Sequence, residues 1–349
     1  MEGKEAEVVH PGLRPDDKLN REVRVDALTG EWISQVGMFA RSHFPVPQPP
    51  AGFQVVVPGR PVRFVSPQML STFDTIERGL VLECAGNGRA LMNAPVPDGV
   101  PWRLGGASPI YLRGVRLSDV LGGLPEDIVD VVFTGADQGL MGSGRVIPYQ
   151  FSINRDLAIS NIPILATHIG GVALTPEHGA PVRLIVPGHY GMKSVKWLTR
   201  IEAMPEKFDG HFVEEYSFYG DPSIRVGTPV DEVAVRSVIS SPVDGASWTN
   251  PMEIRGASWT GGGGEVASVA VSVDDGETWH EADLVRQETA GPWGPMSWSV
   301  VIDVDPGTVT VISRATDTRG NTQPLQPPWN SGGYANNAVH RITVEVLDI

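Results

Sequence analysis

The sequence contains a single cysteine, Cys84, among its 349 residues. One cysteine cannot form a disulfide within the chain, and it cannot supply the paired cysteines of zinc sites, iron–sulfur clusters or covalent haem attachment. A lone cysteine is most often a small buried hydrophobic residue. Any other role for Cys84 therefore has to be argued from the residues around it.

Long hydrophobic runs and positive charge are also scarce. No stretch of the sequence approaches the ~20 apolar residues that span a bilayer. Residues 1–7 are charged and lack the apolar core of a secretory signal, which favours the cytoplasm over the periplasm. The 27 Lys and Arg against 41 Asp and Glu give a net charge of -14. Because an acidic protein repels nucleic acid and anionic membranes, neither is an expected partner, and an anionic ligand needs a local basic pocket.

Glycine and proline, by contrast, are abundant, with 40 and 30 residues. Such a composition favours strands and turns over helix bundles. The prolines of residues 41–50 predict an extended strap. Residues 66–73 and 117–121 predict short helices, and residues 81–84 predict a strand that enters the tight glycine loop 85–89. The first part of the chain is therefore predicted to be mixed α+β.

From about residue 234 the pattern changes to evenly spaced β runs. Residues 266–273 alternate and end in Asp-Asp-Gly, which is a hairpin signal, and residues 340–346 alternate again. About seven such strands over ~115 residues predict an immunoglobulin-like β-sandwich. We therefore predict two domains, residues 1–228 and 229–349, with the boundary near residues 226–234.

Polar groups concentrate in three Gly/Pro-rich segments of the first domain. They are Arg41-x-His43, the loop Cys84-Ala-Gly-Asn-Gly-Arg89, and residues 178–197, which are rich in Arg, Lys and His. Basic side chains with glycine amides suit a phosphate-bearing ligand. Arg89 is expected to lower the pKa of the Cys84 thiol, which would favour binding of a soft metal. These residues indicate an anionic cofactor and a candidate thiolate ligand, without naming either.

Taken together, the motifs resemble the sulfite oxidase family of molybdenum-pterin oxidoreductases, in its haem-free bacterial form. The resemblance covers most of the chain. In the first domain it rests on Phe39-Ala-Arg-Ser-His43-Phe-Pro-Val-Pro47, Leu82-Glu-Cys84-Ala-Gly-Asn-Gly-Arg89, His178-Gly-Ala-Pro-Val-Arg183 and Gly191-Met-Lys-Ser-Val-Lys196-Trp197. In the second domain it includes Val271-Ser-Val-Asp-Asp-Gly-Glu-Thr-Trp279, Trp329-Asn330 and Gly333-Tyr334-x-Asn336-Asn337.

The resemblance implies a molybdenum-molybdopterin cofactor whose metal is bound by Cys84, beside a pterin dithiolene and oxo groups. It implies that the cofactor is held by Phe39, Arg41, His43, Asp137, Ser152, His178, Arg183, Lys193, Ser194 and Lys196. It implies that the catalytic pocket for a sulfur oxyanion is formed around Cys84 by Arg41, Arg89, Trp102 and Tyr216. Glu215 stands where the family usually has Asp. The second domain resembles the family's dimerisation domain, so a homodimer is expected.

The activity implied by the resemblance is oxidation of sulfite to sulfate by oxygen-atom transfer. No haem-binding segment accompanies the motifs, so electrons are expected to pass to an external acceptor. A small basic cytochrome c would suit the acidic surface, and direct reaction with oxygen is the alternative.

Two departures from the family pattern leave the substrate open. Gly332 stands where the family's vertebrate and plant sulfite oxidases carry Arg and its nitrate reductases carry Met, and Gly88 stands where Arg is common. A reductase acting on nitrate or a sulfoxide is therefore the alternative function. A non-enzymatic binding module built on the second domain is a third interpretation.

Each candidate residue also has a purely structural interpretation. Arg41 and Arg183 could be surface ion-pair partners that contribute little. Trp102 could be core packing, and Tyr216 could be a buried hydroxyl bonded to the backbone. Solvated surface is the expected position of three polar residues without a counterpart in the motifs: His189, Lys207 and His211.

Overall fold

A computed structural model describes residues 19–93, 95, 97–142, 144–219 and 227–348 of the chain. Within these ranges strands predominate, and the four α-helices have only four or five residues each. Residues 1–18, on which the expected cytoplasmic location depends, lie outside the described residues, and so do residues 220–226 at the predicted domain boundary. In the described ranges no helix is long and apolar enough to cross a membrane.

The elements of the first region follow one another in short connections. Its strands are β1 (Asn20–Arg21), β2 (Ala40–Arg41), β3 (Phe53–Val56), β4 (Arg63–Val65), β5 (Thr75–Glu83), β6 (Ala107–Arg116), β7 (Asp130–Leu140), β8 (Val146–Asn154), β9 (Ile164–Ile169), β10 (Val172–Ala173), β11 (Arg183–Ile185) and β12 (Leu198–Met204). Its helices are α1 (Pro67–Leu70), α2 (Leu117–Leu121), α3 (Arg155–Ile159) and α4 (His211–Glu215). Single 3₁₀ turns lie at Val25–Ala27, Arg89–Leu91, Pro176–His178 and Gly191–Lys193.

Two five-stranded sheets organise the first region. One has the order β10-β9-β6-β5, with β11 also paired to β9, and the other has the order β4-β3-β12-β7-β8. The last five residues of β5 are all buried, because residues of the second region cover its free edge, where the Val81 amide donates to the Trp293 carbonyl at 2.8 Å. The strand predicted at 81–84 is confirmed. It ends at Glu83 and leaves Cys84 as the first residue of the following loop.

The two predicted helices are present, and one is shorter than expected. Helix α2 has the predicted bounds, whereas α1 is limited to Pro67–Leu70. Ser66 caps α1, since its hydroxyl accepts from the Met69 amide at 3.3 Å and Pro67 occupies the first helical turn. The prediction that residues 41–50 form no helix is confirmed, because β2 ends at Arg41 and residues 42–50 lie outside any helix or strand.

The second region is built of strands alone within residues 227–348. They are β13 (Arg236–Ser241), β14 (Ser247–Trp248), β15 (Met252–Trp259), β16 (Val266–Ser272), β17 (His280–Glu281), β18 (Asp283–Arg286), β19 (Met296–Ile302), β20 (Gly307–Asp317) and β21 (His340–Val346). The sheets have the orders β13-β15-β19-β18 and β14-β21-β20-β16-β17. Strands β14 and β17 were not predicted, because two residues carry no alternating pattern.

One hydrophobic cluster joins the facing sides of these two sheets. It contains Ile254 and Trp298 from one sheet and Val311 and Val344 from the other. The predicted hairpin turn after β16 is confirmed: Asp275 and the following glycine have φ of 60° and 96°, which reverses the chain into β17. The sheets therefore pack face to face around a core of their own.

A buried ion pair connects the second region to the loop that carries Cys84. The Arg236 Nε atom lies 2.9 Å from Glu83 Oε1, and the two side chains are only 2% and 0% exposed. The Trp259 indole donates to Glu83 Oε2 at 2.7 Å, and the Asn87 amide donates to Oε1 at 3.0 Å. Because Glu83 precedes Cys84 directly, the second region fixes the backbone at this loop.

Candidate active site

A cleft opens beside Cys84, at the end of β5. We call it the basic cleft, after the Arg183 and Lys196 side chains in its wall. It brings together most of the residues that the resemblance assigned to the cofactor and its metal: Phe39, Arg41, His43, Cys84, Asp137, His178, Arg183, Ser194 and Lys196. Tyr216, which was assigned to the oxyanion pocket, also lines it. These residues come from segments far apart in sequence, so the fold assembles them into one wall.

Cys84 is held by backbone hydrogen bonds at the mouth of the loop. Its amide donates to the Gly106 carbonyl at 2.8 Å, and its carbonyl accepts from the Asn87 amide at 3.0 Å. Burial raises the pKa of the Cys84 thiol, and the guanidinium groups of Arg89 and Arg41 offset this only in part. The prediction that Arg89 gives this thiol a lowered pKa is therefore wrong, because desolvation outweighs both charges. A bound metal ion would remove the thiol proton regardless, since a coordinating thiol is deprotonated.

His178 is a neutral imidazole with one nitrogen committed to the backbone. Its Nε2 lies 2.9 Å from the Gln35 carbonyl, so Nε2 carries the proton and Nδ1 is left as an acceptor. Burial, together with the charges of Arg183 and Lys196, lowers the pKa of His178 to about 3. The side chain therefore offers a fixed acceptor to a ligand in the cleft at neutral pH.

Arg183 is buried and only partly hydrogen-bonded. Its Nη1 donates to the His178 carbonyl and its Nη2 donates to the Ser194 carbonyl, both at 3.1 Å. Its Nε is buried and has no hydrogen-bond partner among the described residues. Burial lowers the pKa of Arg183 to about 10, which still leaves the group charged at neutral pH. The surface ion-pair interpretation of Arg183 is excluded by its burial.

Asp137 and Lys196 place opposite charges in the same buried wall. The Lys196 ammonium donates to the Glu177 carbonyl at 3.0 Å and lies 4.1 Å from the centre of the Trp197 ring. Asp137 Oδ1 is buried without a hydrogen-bond partner among the described residues. Burial raises the pKa of Asp137 to about 6 and lowers the pKa of Lys196 well below its ordinary value. Each charged form is costly here without a ligand to solvate it.

Two residues expected in the cofactor site are directed elsewhere. The Ser152 hydroxyl lies on β8 and donates to Asp130 Oδ2 at 3.1 Å. The Lys193 ammonium is paired with Asp231. Neither side chain lines the basic cleft, so we leave both out of the cofactor contacts. His189 also pairs with Asp231, at 3.3 Å, with only 11% of its side chain exposed, so the expectation that it lies on the surface is wrong.

A second cavity meets the basic cleft at Cys84. We call it the tyrosine cavity. It shares with the basic cleft the residues Arg41, His43, Cys84 and Tyr216. It adds Gly86, Arg89, Asp98, Gly99, Val100, Trp102, Glu215, Ser331, Gly332 and Tyr334. The four residues of the expected oxyanion pocket, Arg41, Arg89, Trp102 and Tyr216, are thus brought together around Cys84.

Arg41, His43 and Tyr216 form one hydrogen-bonded chain between the two cavities. The Arg41 Nη2 atom lies 3.3 Å from His43 Nδ1, and His43 Nε2 lies 2.7 Å from the Tyr216 hydroxyl. Because a guanidinium can only donate, Nδ1 accepts and the neutral ring carries its proton on Nε2. Tyr216 Oη then accepts from His43 and keeps its own proton for another acceptor. Burial raises the pKa of Tyr216 well above its ordinary value, so that proton is retained.

Arg89 is a buried guanidinium held by two carbonyls. Its Nε donates to Gly332 and its Nη1 donates to Val100, both at 2.7 Å. A Cβ on Gly86 would lie 2.6 Å from Arg89 Nη2, so glycine is required for the loop to pass this close. Trp102 is fully buried and packs edge-on against Phe39 at 6.4 Å, which makes it both a core residue and part of the cavity wall.

Some residues of the site were not singled out from the sequence. Tyr149 stacks on the His43 ring at 5.3 Å and donates to the Met192 carbonyl at 2.8 Å. Asp98 lines the tyrosine cavity, and so does Tyr334, which the motif of the second domain included without a role in the site. An inward tyrosine in a strand, such as Tyr149, has the same pattern as a core residue, and Asp98 lies in an irregular loop, so no sequence signal marked these two.

The residues present fit a phosphate-bearing cofactor with a soft metal. Buried unpaired atoms on Asp137 and Arg183 are costly unless a ligand supplies the missing hydrogen bonds. Two further cation or acceptor groups, on Lys196 and His178, lie in the same wall, and the Cys84 thiol lies where the two cavities meet. This donor set suits an anionic, hydrogen-bonding pterin at one end and a metal at the other.

Comparison with known proteins assigns both regions to one class of enzyme. Residues 43–212 match the oxidoreductase molybdopterin binding domain, and residues 228–347 match the Mo-co oxidoreductase dimerisation domain. The protein is therefore a molybdenum-dependent oxidoreductase.

Proteins similar in sequence show to which family of this class the chain belongs. The chain is 32% identical to sulfite oxidase of Gallus gallus over 360 residues, which cover 95% of this chain and 78% of that protein. It is 33% identical to the NADH nitrate reductase of Lotus japonicus over 349 residues, which cover 88% of this chain and 38% of that protein. The chain belongs to the sulfite oxidase family of molybdenum-pterin oxidoreductases.

A solved structure with low sequence identity to this chain shares its fold. The sulfane dehydrogenase SoxCD from Paracoccus pantotrophus superposes with a TM-score of 0.83 at 23% identity, covering 99% of this chain and 91% of that chain. The arrangement of both regions is thus shared along nearly the whole length.

Proposed function

We propose that this protein oxidises sulfite to sulfate and passes the electrons to an external acceptor. The observation that carries the proposal is the convergence of two guanidinium groups, Arg41 and Arg89, beside Cys84 in the tyrosine cavity. Guanidinium groups bind oxyanions through charge-assisted hydrogen bonds. In a protein of net charge -14, such a pocket concentrates the positive charge that a dianionic substrate needs.

The cofactor would lie in the basic cleft, with molybdenum bound by the Cys84 sulfur. Arg183 and Lys196 would bind its phosphate, and the buried Asp137 carboxyl would accept from its polar edge. His178 would accept through Nδ1. Phe39 and Ser194 line the same cleft and complete the expected contacts.

The residues of the tyrosine cavity bind and orient the substrate in this proposal. The bound cofactor supplies the oxygen-atom transfer and takes up two electrons. Arg41 and Arg89 hold the sulfur oxyanion and stabilise its charge as it redistributes. Two backbone carbonyls fix the Arg89 guanidinium in advance, so little ordering is required when substrate binds. Tyr216 donates its proton toward the oxyanion, and the Trp102 and Phe39 rings exclude water from that wall.

Electrons would leave to a separate protein. The chain has net charge -14, so a small basic cytochrome c is the partner whose charge complements it. Association should weaken as salt rises, because exposed charges are screened. Slower turnover with rising salt when cytochrome c is the acceptor, but not when ferricyanide is, would support this partner. If oxygen is the direct acceptor, sulfite should give hydrogen peroxide in the absence of both cytochrome c and ferricyanide.

We also propose that the protein is a homodimer joined through an immunoglobulin-like second domain, residues 229–349. The match to the dimerisation domain and the two facing sheets support this assembly. Light scattering should give twice the chain mass of 37.5 kDa at micromolar concentration. A monomer at that concentration would contradict it.

A reductase acting on nitrate or a sulfoxide is the alternative. Two carboxylates, Asp98 and Glu215, line the tyrosine cavity and disfavour a dianion more than a monoanion or a neutral ligand. The nitrate reductase relatives are as similar in sequence as the sulfite oxidases are.

Metal analysis combined with parallel assays separates the two functions. The expected result is equimolar molybdenum and sulfite-dependent reduction of ferricyanide, with little reduction of nitrate or dimethyl sulfoxide by a reduced dye. A molybdenum-loaded protein that reduces nitrate or sulfoxide but leaves sulfite unchanged would establish the alternative. A stable protein that takes up no molybdenum would favour a binding module.

A further inference from the structure

The Tyr334 ring fills the space that a side chain at position 332 would need. A Cβ built on Gly332 would lie 2.2 Å from Cε2 and 2.6 Å from Cδ2 of Tyr334. The backbone of Gly332 is outside the left-handed region, so its conformation alone would accept alanine. The glycine at this position is therefore required by the neighbouring ring and not by the backbone.

The Tyr334 ring is fixed from several sides. Its amide and carbonyl are both hydrogen-bonded to the Asn330 side chain, at 2.8 and 2.9 Å. The ring centre lies 5.2 Å from that of Tyr216 and 5.4 Å from the Arg89 guanidinium carbon. Only 7% of the residue is exposed. A ring packed between a cation and a second aromatic residue cannot move aside cheaply.

The Tyr334 hydroxyl is available to a ligand. Among the described residues the hydroxyl makes no hydrogen bond. It is also not fully buried, so it is open to the tyrosine cavity that Tyr334 lines. Burial, with the charge of Glu215, raises the pKa of Tyr334 to about 12, so the hydroxyl keeps its proton at neutral pH and can donate it.

We propose that Tyr334 contacts the substrate and determines specificity: its hydroxyl donates to an oxygen of the sulfur oxyanion held by Arg41 and Arg89, while its ring sets the width of the cavity over Gly332. The inference rests on the proposed function, because it takes the ligand to be a sulfur oxyanion. It adds an uncharged donor to a pocket whose other donors are mainly cationic.

The hydroxyl is tested with Tyr334→Phe, which keeps the ring. Two quantities are measured: the dissociation constant for sulfate by calorimetry on the molybdenum-loaded enzyme, and KM and kcat for sulfite. Since a hydrogen bond to a charged group is lost, both the sulfate dissociation constant and KM should rise about tenfold. Molybdenum content and Tm should stay unchanged, and kcat should change less than KM. Tyr111→Phe is the matched control, because the Tyr111 hydroxyl, on β6, donates to exposed Glu77 on β5 and its loss should leave all four quantities unchanged. Equal sulfate affinity and equal KM in Tyr334→Phe and parent would overturn the contact.

The ring is tested with a double-mutant cycle between positions 332 and 334. Gly332→Ala alone should displace the ring and weaken sulfate binding, because the new methyl overlaps Cε2. In a Tyr334→Ala background the same Gly332→Ala change should have almost no further effect, since the space is then free. An equal effect of Gly332→Ala in both backgrounds would overturn the claim that the ring occupies this space.

The inference and the proposed function fail in different ways. If the parent binds sulfate, Tyr334→Phe binds it more weakly and neither oxidises sulfite, the proposed function fails while the contact is supported. If the parent oxidises sulfite and Tyr334→Phe matches it in KM and sulfate affinity, the inference alone fails.

Discussion

The two cavities that meet at Cys84 are built in different ways. Among the described residues, the basic cleft takes its walls from the first region, and its charged groups on Asp137 and Arg183 are buried with atoms that find no hydrogen-bond partner there. The tyrosine cavity is closed by Ser331, Gly332 and Tyr334, which come from the second region, and Arg89 within it is already bound to backbone carbonyls.

The difference is that the charged groups of the basic cleft lack partners that a ligand could supply, whereas the Arg89 guanidinium of the tyrosine cavity is already held in place. Unpaired buried groups gain hydrogen bonds when a cofactor arrives, so the basic cleft should be stabilised by loading. A pre-bound guanidinium is fixed before substrate arrives, so the tyrosine cavity should change little on binding. Changes in the basic cleft should alter cofactor content, and changes in the tyrosine cavity should alter kinetics.

Cys84 belongs to both cavities, and its replacement should have the largest effect. We expect Cys84→Ser to lose sulfite oxidation altogether, because a hydroxyl is a poor ligand for a soft metal centre. Pterin should still be retained through Arg183 and Lys196 in the basic cleft. Activity, visible absorption and pterin fluorescence after release are the measurements. Turnover within a few-fold of the parent would exclude Cys84 as the essential ligand.

The buried pair of Arg236 and Glu83 should give the largest effect on stability. Arg236→Leu leaves the Glu83 carboxylate buried without its partner, which typically costs about 3–5 kcal/mol of unfolding free energy. Urea unfolding measures it. Arg255→Leu, in the same sheet but paired with Glu253 at the surface, is the control and should cost less than about 1 kcal/mol. Equal losses in the two variants would show that the buried pair does not tie the regions together.

Arg41 lines both cavities, so its replacement tests whether this side chain acts on the substrate or on the cofactor. Arg41→Gln removes the charge but keeps some donors, so kcat/KM for sulfite should fall roughly 10- to 100-fold. Molybdenum content and Tm should barely change if the side chain acts mainly on substrate. Arg60→Gln, whose guanidinium bonds surface carbonyls near α2, is the control. Lost molybdenum would instead assign Arg41 to the cofactor, and an unchanged kcat/KM would remove it from the site.

His178 should give the smallest effect on stability, and this effect should appear in the pH dependence of unfolding. Its pKa is about 3 in the folded protein, against an ordinary value of 6.5. The unfolded chain therefore takes up a proton below pH 6.5 that the folded chain refuses, so stability is full above that pH and falls as the pH drops. Between pH 7 and pH 5 the loss from this residue should be about 2 kcal/mol.

The control for this effect is built into the chain. His340, whose pKa burial lowers to about 4, stays in both proteins and cancels in the comparison. His178→Gln should thus flatten the fall in unfolding free energy from pH 7 to pH 5. Parallel slopes for parent and variant would contradict a neutral, buried His178.

The sequence was sufficient for features that depend on neighbours along the chain. The bounds of α2 and β21, and the end of β5 to within one residue, follow from local patterns of apolar residues and glycine. The segments that carry Arg41, Cys84 and residues 178–197 line one cleft, and the resemblance had grouped them together. The pKa of Cys84 was predicted with the wrong sign, because the burial that raises it comes from elements distant in sequence.

The hydrogen-bond and ion-pair partners of several side chains could not be predicted from the sequence. Lys193 lies within a motif segment, yet its ammonium pairs with Asp231, and the Ser152 hydroxyl bonds to Asp130 across the sheet. The position of the Tyr334 ring depends on its contact with Gly332 and on the neighbouring Tyr216 ring, which comes from a distant segment. These contacts depend on which side chains the sheets bring close together, and the spacing of residues in the sequence does not predict that.

The closing of the tyrosine cavity also ties the metal-binding loop to the far end of the chain. Arg89 bonds to Gly332, 243 positions later, and the Asn336 side chain donates to Gly88, 248 positions earlier. A change that loosens residues 331–336 would therefore uncover the Cys84 loop on the side that Gly332 and Tyr334 close, while the residues that line the basic cleft stay in place.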